Sequence, residues 1–170
     1  MSTRSMMFLL LFVVAIFLAV RFDVTTQVKM GVANLIYGDE MRGMKGFRLV
    51  IETLAPELEK QGLTRETLLK ELSTMLENAR IKVLGDEEWQ KTSDKPVLNV
   101  SVYATKTGDN RYQYSVTIEV GKIEAPKPGT YSAKIKTLWL TSGVGEGGIS
   151  DIRARIKEET GLFLKSHSGS

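Results

Sequence analysis

Read from its hydrophobic and polar positions, the chain divides into an apolar head and a patterned body. Met6 to Val20 runs fifteen residues without a polar side chain, and Val24, Val28, Val32, Leu35 and Ile36 continue at three- and four-residue steps. The first stretch has the layout of a signal sequence or membrane segment, with Met6, Phe8, Leu11, Val14, Phe17 and Val20 spread along it. Fifteen helical residues rise about 22 Å at about 1.5 Å each, short of a hydrocarbon core of roughly 30 Å. Length therefore favours a cleavable leader. The absence of an Ala-x-Ala site, with Phe17 where a small residue belongs, favours an uncleaved anchor that continues outward as an amphipathic stalk. Both readings stand: residues 1–22 are a signal sequence or transmembrane anchor, and 23–46 a stalk and linker ending in the glycine-bearing stretch Asp39 to Gly46.

Beyond Gly46 the period changes. Phe47, Leu49 and Ile51 alternate in a strand over 47–54 that Ala55-Pro56 ends. Thr64 then stands as an N-cap ahead of Leu68, Leu69, Leu72, Met75, Leu76 and Ala79, a strongly amphipathic helix. Ile81 to Leu84 is a short strand, which completes a βαβ unit. From Pro96, Leu98, Val100, Val102 and Ala104 alternate with Asn99, Ser101, Tyr103 and Thr105. After a turn at Thr107 to Asn110, Tyr112, Tyr114, Val116, Ile118 and Val120 alternate with Gln113, Ser115, Thr117 and Glu119, so the two strands form a hairpin. Tyr131 to Leu140 is a last strand with Lys134 and Lys136 outward. Ser150 caps a final helix that buries Ile149, Ile152, Ile156 and Phe163, and Ser166 to Ser170 frays.

The order β-α-β-β-β-β-α predicts an α/β (α+β) two-layer sandwich. It has a mixed, mostly antiparallel five-stranded sheet with two helices on one face, preceded by the N-terminal hydrophobic helix. The folded domain is expected over 47–166, with 167–170 a disordered tail, and the second sheet face is left polar and open.

Charge and chemistry narrow the function more than they name it. The net charge of +3 includes +1 from Arg4, Arg21 and Asp23 around the head, leaving the body nearly neutral, with basic and acidic residues alternating. A nucleic-acid partner is not expected from that pattern. No cysteine exists for a disulfide, a thiol nucleophile, a Cys-held zinc or a lipid anchor. His167 is the only histidine, so neither a Ser-His pair nor a histidine-rich metal site can be assembled. The acidic groups Asp39-Glu40, Glu57 with Glu59, and Asp86-Glu87-Glu88 read as solvated charge without the spacing of a calcium loop. Gly143-Val144-Gly145-Glu146-Gly147-Gly148 satisfies G-x-G-x-x-G, yet no further strand or ribose-binding acid follows it and Glu146 would oppose a phosphate. It reads as a flexible loop into the last helix. No cofactor and no metal are expected.

Trp139 shares strand parity with Tyr131 and Ile135, which predicts a core position. Trp89, in a polar stretch, is a candidate partner contact together with Tyr103, Gln113 and Ser115 on the open sheet face.

The stretch LAPELEKQGLTRETLLKELSTMLENARIKVLGDEEW, followed by PVLNVSVYAT and YQYSVTIEV, resembles a group of uncharacterised exported bacterial α/β proteins over roughly Phe47 to Val120. In layout it is also similar to periplasmic domains that accompany envelope machines, such as the N-terminal domain of TolB or the LptE lipoprotein, from which it departs in lacking an anchoring cysteine. The head and the lack of a catalytic constellation in the sequence together point to a non-enzymatic accessory or structural subunit of a membrane or envelope complex. It would be anchored by one helix at the periplasmic side of the bacterial inner membrane, or be soluble in the periplasm if the head is cleaved. A periplasmic small-ligand-binding module is the alternative.

Overall fold

The computed structural model describes residues 38–124 and 134–169. The apolar head, its residues Met6, Phe8, Leu11, Val14, Phe17 and Val20, the stalk positions Val24 to Ile36, and Tyr131 lie outside the described residues. Among the described residues no helix is long and apolar enough to cross a membrane.

Among the described residues ten elements follow one another: α1 (Gly38–Arg42), β1 (Gly46–Ile51), α2 (Pro56–Lys60), α3 (Arg65–Asn78), β2 (Lys82–Val83), α4 (Asp86–Lys91), β3 (Pro96–Gly108), β4 (Arg111–Glu124), β5 (Lys134–Gly147) and α5 (Ile149–Ser168). The strands make one mixed five-stranded sheet in the order β2-β1-β3-β4-β5, an α/β fold. β1 lies parallel to both β2 and β3, while β3, β4 and β5 form an antiparallel meander.

Helices α3 and α5 cover one face. In α3 the Thr64 side chain accepts the Thr67 N–H at 3.2 Å, and Leu68, Leu72 and Leu76 point into the sheet fully buried. Each such leucine contributes about 1.5–3 kcal/mol of burial, which is what holds a helix of this length that would be marginal alone. α5 contributes Ile152, Ile156 and Phe163. The Phe163 ring meets Phe47 of β1 edge-on at 5.5 Å and Trp139 of β5 at 5.7 Å. Between the helices, Glu71 of α3 pairs with Lys157 at 3.0 Å and Arg153 at 3.6 Å.

Five features depart from the sequence reading. The stretch expected to be a linker carries α1, whose Met41 is fully buried in the core and whose Glu40 binds Lys122 of β4 and, at 3.1 Å, Lys136 of β5. The two ammonium groups, Lys122 first, hold the Glu40 carboxyl below the usual range, and Glu40 in turn raises Lys122. The domain therefore begins before Phe47. At the other end α5 continues through the expected tail to Ser168. His167 packs its ring on Phe47 and Phe163, with Nε2 3.0 Å from the Met44 carbonyl.

Two departures concern β5. A bulge at Leu138 sets two residues of β5 against one step of β4, so Leu138 and Trp139 both face the core. Ahead of the bulge the parity is reversed: Ile135 is exposed and Lys136 lies on the helix-covered side beside Glu40. Beyond it, the glycine run expected to be a loop is the second half of the strand. Gly143, Gly145 and Gly147 alternate on the face beneath α5 and beside Tyr114. A Cβ on Gly143 would meet Arg155 Cδ at 2.6 Å, and one on Gly145 would meet the Tyr114 hydroxyl at 2.6 Å. These glycines serve close packing of the helix on the sheet. The helix start is also displaced: the N-cap is Gly148, not Ser150, and its N–H donates to Asp151 Oδ2 at 2.8 Å.

Candidate functional site

Because side chains alternate along a strand, the residues not packed under the helices gather on the opposite face of the sheet. At its β1–β2 end that face is closed by α4. Trp89 of α4 is 5% exposed, packs with Leu84 and Val97, and donates its Nε1–H to the Pro96 carbonyl at 3.0 Å. The Arg48 guanidinium stacks 4.7 Å from the indole ring and also pairs with Asp86 at 2.9 Å. Trp89 is thus interior, not a surface contact. Its flanking sequence reads as polar because a helix of six residues with one inward position shows no periodicity.

The rest of the face is open. Register sets Tyr103 of β3, Ser115 of β4 and Val144 of β5 in one row, and Thr105, Gln113 and Glu146 in the next. Tyr103 is 65% exposed and Val144 64%. The two rows line a shallow groove of about 490 Å³ at the end of the sheet near the β3–β4 turn. Three of the four expected contacts, Tyr103, Gln113 and Ser115, come together here.

Beside the groove lies a polar ladder. Glu52, just past the end of β1, accepts from Asn99 Nδ2 at 2.9 Å and from the Tyr103 hydroxyl at 3.3 Å, while Asn99 also reaches Ser101 Oγ at 3.3 Å. The Asn99 hydrogen bond, more than the smaller ones from Ser101 and Tyr103, keeps the Glu52 carboxyl below its usual range against the opposing effect of partial burial. Further along, Thr117 and Ser142 share a hydrogen bond at 3.1 Å, and Arg111 pairs with Glu146 at 3.3 Å on the groove rim. The ladder fixes the Tyr103 ring at its hydroxyl and leaves its face to solvent.

Compared with known proteins, the chain matches no family model and no curated relative.

Elsewhere the acidic groups singled out in the sequence are dispersed. Glu57 and Glu59 are exposed on α2; Asp86 and Glu88 pair with Arg48 and Lys82. Among the described residues no three His, Asp or Glu side chains converge as a metal would require. The residues that sequence reasoning missed are Val144 and Glu146 in the groove and Glu52 beside it. The signal for the first two was present: Leu140, Ser142, Val144 and Glu146 alternate with Thr141, Gly143, Gly145 and Gly147 as they do in a strand. Glycine on the inner positions concealed it.

Proposed function

We propose that this chain is a non-enzymatic accessory or structural subunit of a membrane or envelope protein complex. Its apolar N-terminal segment holds it at the periplasmic side of the bacterial inner membrane, and its domain presents the open sheet face to a protein partner. The observation that carries this reading is the exposed Tyr103–Ser115–Val144 row on an otherwise polar face, next to a sheet face fully covered by helices. Aromatic and aliphatic side chains standing on a flat, hydrogen-bonded platform are the usual anchors of a protein interface.

Placement supports it too. The chain enters the domain at α1, which is fastened to Lys122, whereas the groove begins at Ser115, seven residues away along β4. That is about 23 Å at roughly 3.3 Å per residue, so the α1 contact and the groove lie at different ends of β4. The lone histidine, half-buried, packs on Phe47 and Phe163 with Nε2 at the Met44 carbonyl and does not line the groove. The groove is broad and open. That suits inserted side chains of a protein better than an enclosed small ligand.

Purification of the tagged full-length chain from native membranes tests the reading. A stoichiometric protein partner is expected. Tyr103→Ala should release it while leaving the melting temperature of the chain unchanged. A chain that purifies with no other protein, or a partner retained by Tyr103→Ala, would overturn it.

A further inference from the structure

We infer that the outer edge of β5 is a self-association surface, pairing antiparallel with the same edge of a second copy of this chain so that two sheets become one. β5 is the last strand in the sheet order, and among the described residues only β4 pairs with it. An edge strand exposes a row of unused N–H and C=O groups, and proteins that stay monomeric block such edges with charge, proline or short length. β5 has none of these defences over its middle: it is 14 residues long, and Leu138 to Gly145 carries neither a charged residue nor a proline.

The apolar surface of the domain collects along the same edge. Of the four large hydrophobic residues most exposed, Tyr103 stands inside the sheet, but Ile135 and Val144 are on β5 itself and Leu162 is on α5. Leu162 lies on the β5 side of that helix. Arg153 and Lys157 reach across to Glu71 of α3, while Arg155 covers Gly143 and Glu159 binds Thr141 of β5 at 2.6 Å, and Leu162 follows Arg155, Glu158 and Glu159 at helical spacing. The strand edge is thus flanked by apolar side chains on both faces of the sheet.

A second copy of the same strand is the occupant that fits, and the helix flank sets the direction. Arg155 and Glu158 of α5 stand one turn apart beside the edge, so an antiparallel copy related by a two-fold axis offers each an opposite charge, whereas a parallel one would align like charges. With Ser142 opposite itself, Leu140 faces Val144 of the second copy on the open side of the sheet. Thr141 faces Gly143, and Trp139 faces Gly145, on the helix side. The Leu138 bulge then ends the regular pairing. The two-fold axis of such a pair stands normal to the sheet, so α1 of each copy lies at the same height along it. The pairing does not depend on the membrane reading.

The chain has no cysteine, so an introduced thiol is unique. Residues opposite each other across an antiparallel pair have Cα atoms about 4.5–5.5 Å apart, within the span of a disulfide. In the full-length chain, Ser142→Cys should oxidise to a covalent dimer. Thr105→Cys, exposed on the same face but two strands inside the edge, should not. By light scattering the unmodified chain should have twice the mass of one chain. Val144→Lys, a change at an exposed side chain, should halve that mass and abolish the Ser142→Cys cross-link with the circular dichroism spectrum unchanged. A single-chain mass for the unmodified protein would overturn the inference. So would a dimer that survives Val144→Lys and leaves the Ser142→Cys thiol free, since that dimer forms elsewhere.

Discussion

On the helix-covered face, Leu98, Val100, Val102, Val116, Ile118 and Val120 meet Leu68, Leu72, Leu76, Ile156 and Phe163 with almost no surface left to solvent. On the opposite face, along β3, β4 and β5, Asn99 hydrogen-bonds to Ser101 and Thr117 to Ser142, Gln113 and Ser115 line the groove, and Tyr103 and Val144 stand clear. One backbone supports both, because alternation sends successive side chains in opposite directions. The difference separates tasks: the first face carries most of the free energy of folding, and the exposed part of the second varies in composition at small cost to the fold. Substitutions should therefore divide by face, not by strand.

The largest effect is expected at Phe163. Its ring contacts Phe47, Trp139 and His167, joining α5 to β1 and β5. Phe163→Ala should cost about 3–5 kcal/mol in urea unfolding, the range for an aromatic ring removed from a closed core. A loss below about 1 kcal/mol would show that the covered face is not the main source of stability.

A sharper comparison uses two adjacent residues of β5. At Gly143 a new methyl group has no room without displacing the buried Glu159 carboxylate from Thr141 or moving Arg155. Gly143→Ala should destabilise by about 1–3 kcal/mol, through overpacking and a weakened buried hydrogen bond. Val144→Ala, one residue on and pointing the other way, should change stability by no more than about 0.5 kcal/mol. Equal effects at the two positions would break the division of faces.

How much of this was legible in the sequence follows from the range of each signal. The Thr64 cap and the leucine stripe of α3 are local, as is the β3–β4 alternation around Asp109-Asn110, and these elements form where their periodicity places them. The same alternation brought Tyr103, Gln113 and Ser115 to one face. What escaped depends on distant partners. Glycines in the second half of β5 carry no hydrophobic pattern, and their role is visible only once α5 lies over them. The bulge at Leu138 reverses parity without any mark in composition, so Ile135 and Lys136 exchanged their expected sides. α1 is five residues long with one buried side chain, and the lysines that hold Glu40 are 82 and 96 positions away. Val144 and Glu146 dropped out of the site for the first of these reasons, and Trp89 stood as a candidate contact because its core neighbours Leu84 and Val97 lie outside its own short helix.

The smallest expected effect distinguishes the faces by pH. Glu52 on the open face and Glu40 at the end of the covered one both have carboxyl groups held below the usual range, by Asn99 and by Lys122 respectively. A depressed folded-state value means that the ionised group stabilises the fold. That contribution is complete above the unfolded carboxyl value of about 4.3 and disappears as pH falls through the folded one. Glu52→Gln keeps an acceptor for Asn99 but removes the titration. Between pH 7 and pH 3 it should therefore lose slightly less stability than the unmodified chain, by under about 1 kcal/mol given its contact with solvent. The acid slope that remains includes the share of Glu40, whose loss loosens α1 from β4 and β5 and so from the covered core. Removing both carboxylates in Glu40→Gln/Glu52→Gln should flatten the slope further. If Glu52→Gln alone flattened it as much as the pair, the open face would contribute to folding after all, and the separation of tasks between the two faces would fail.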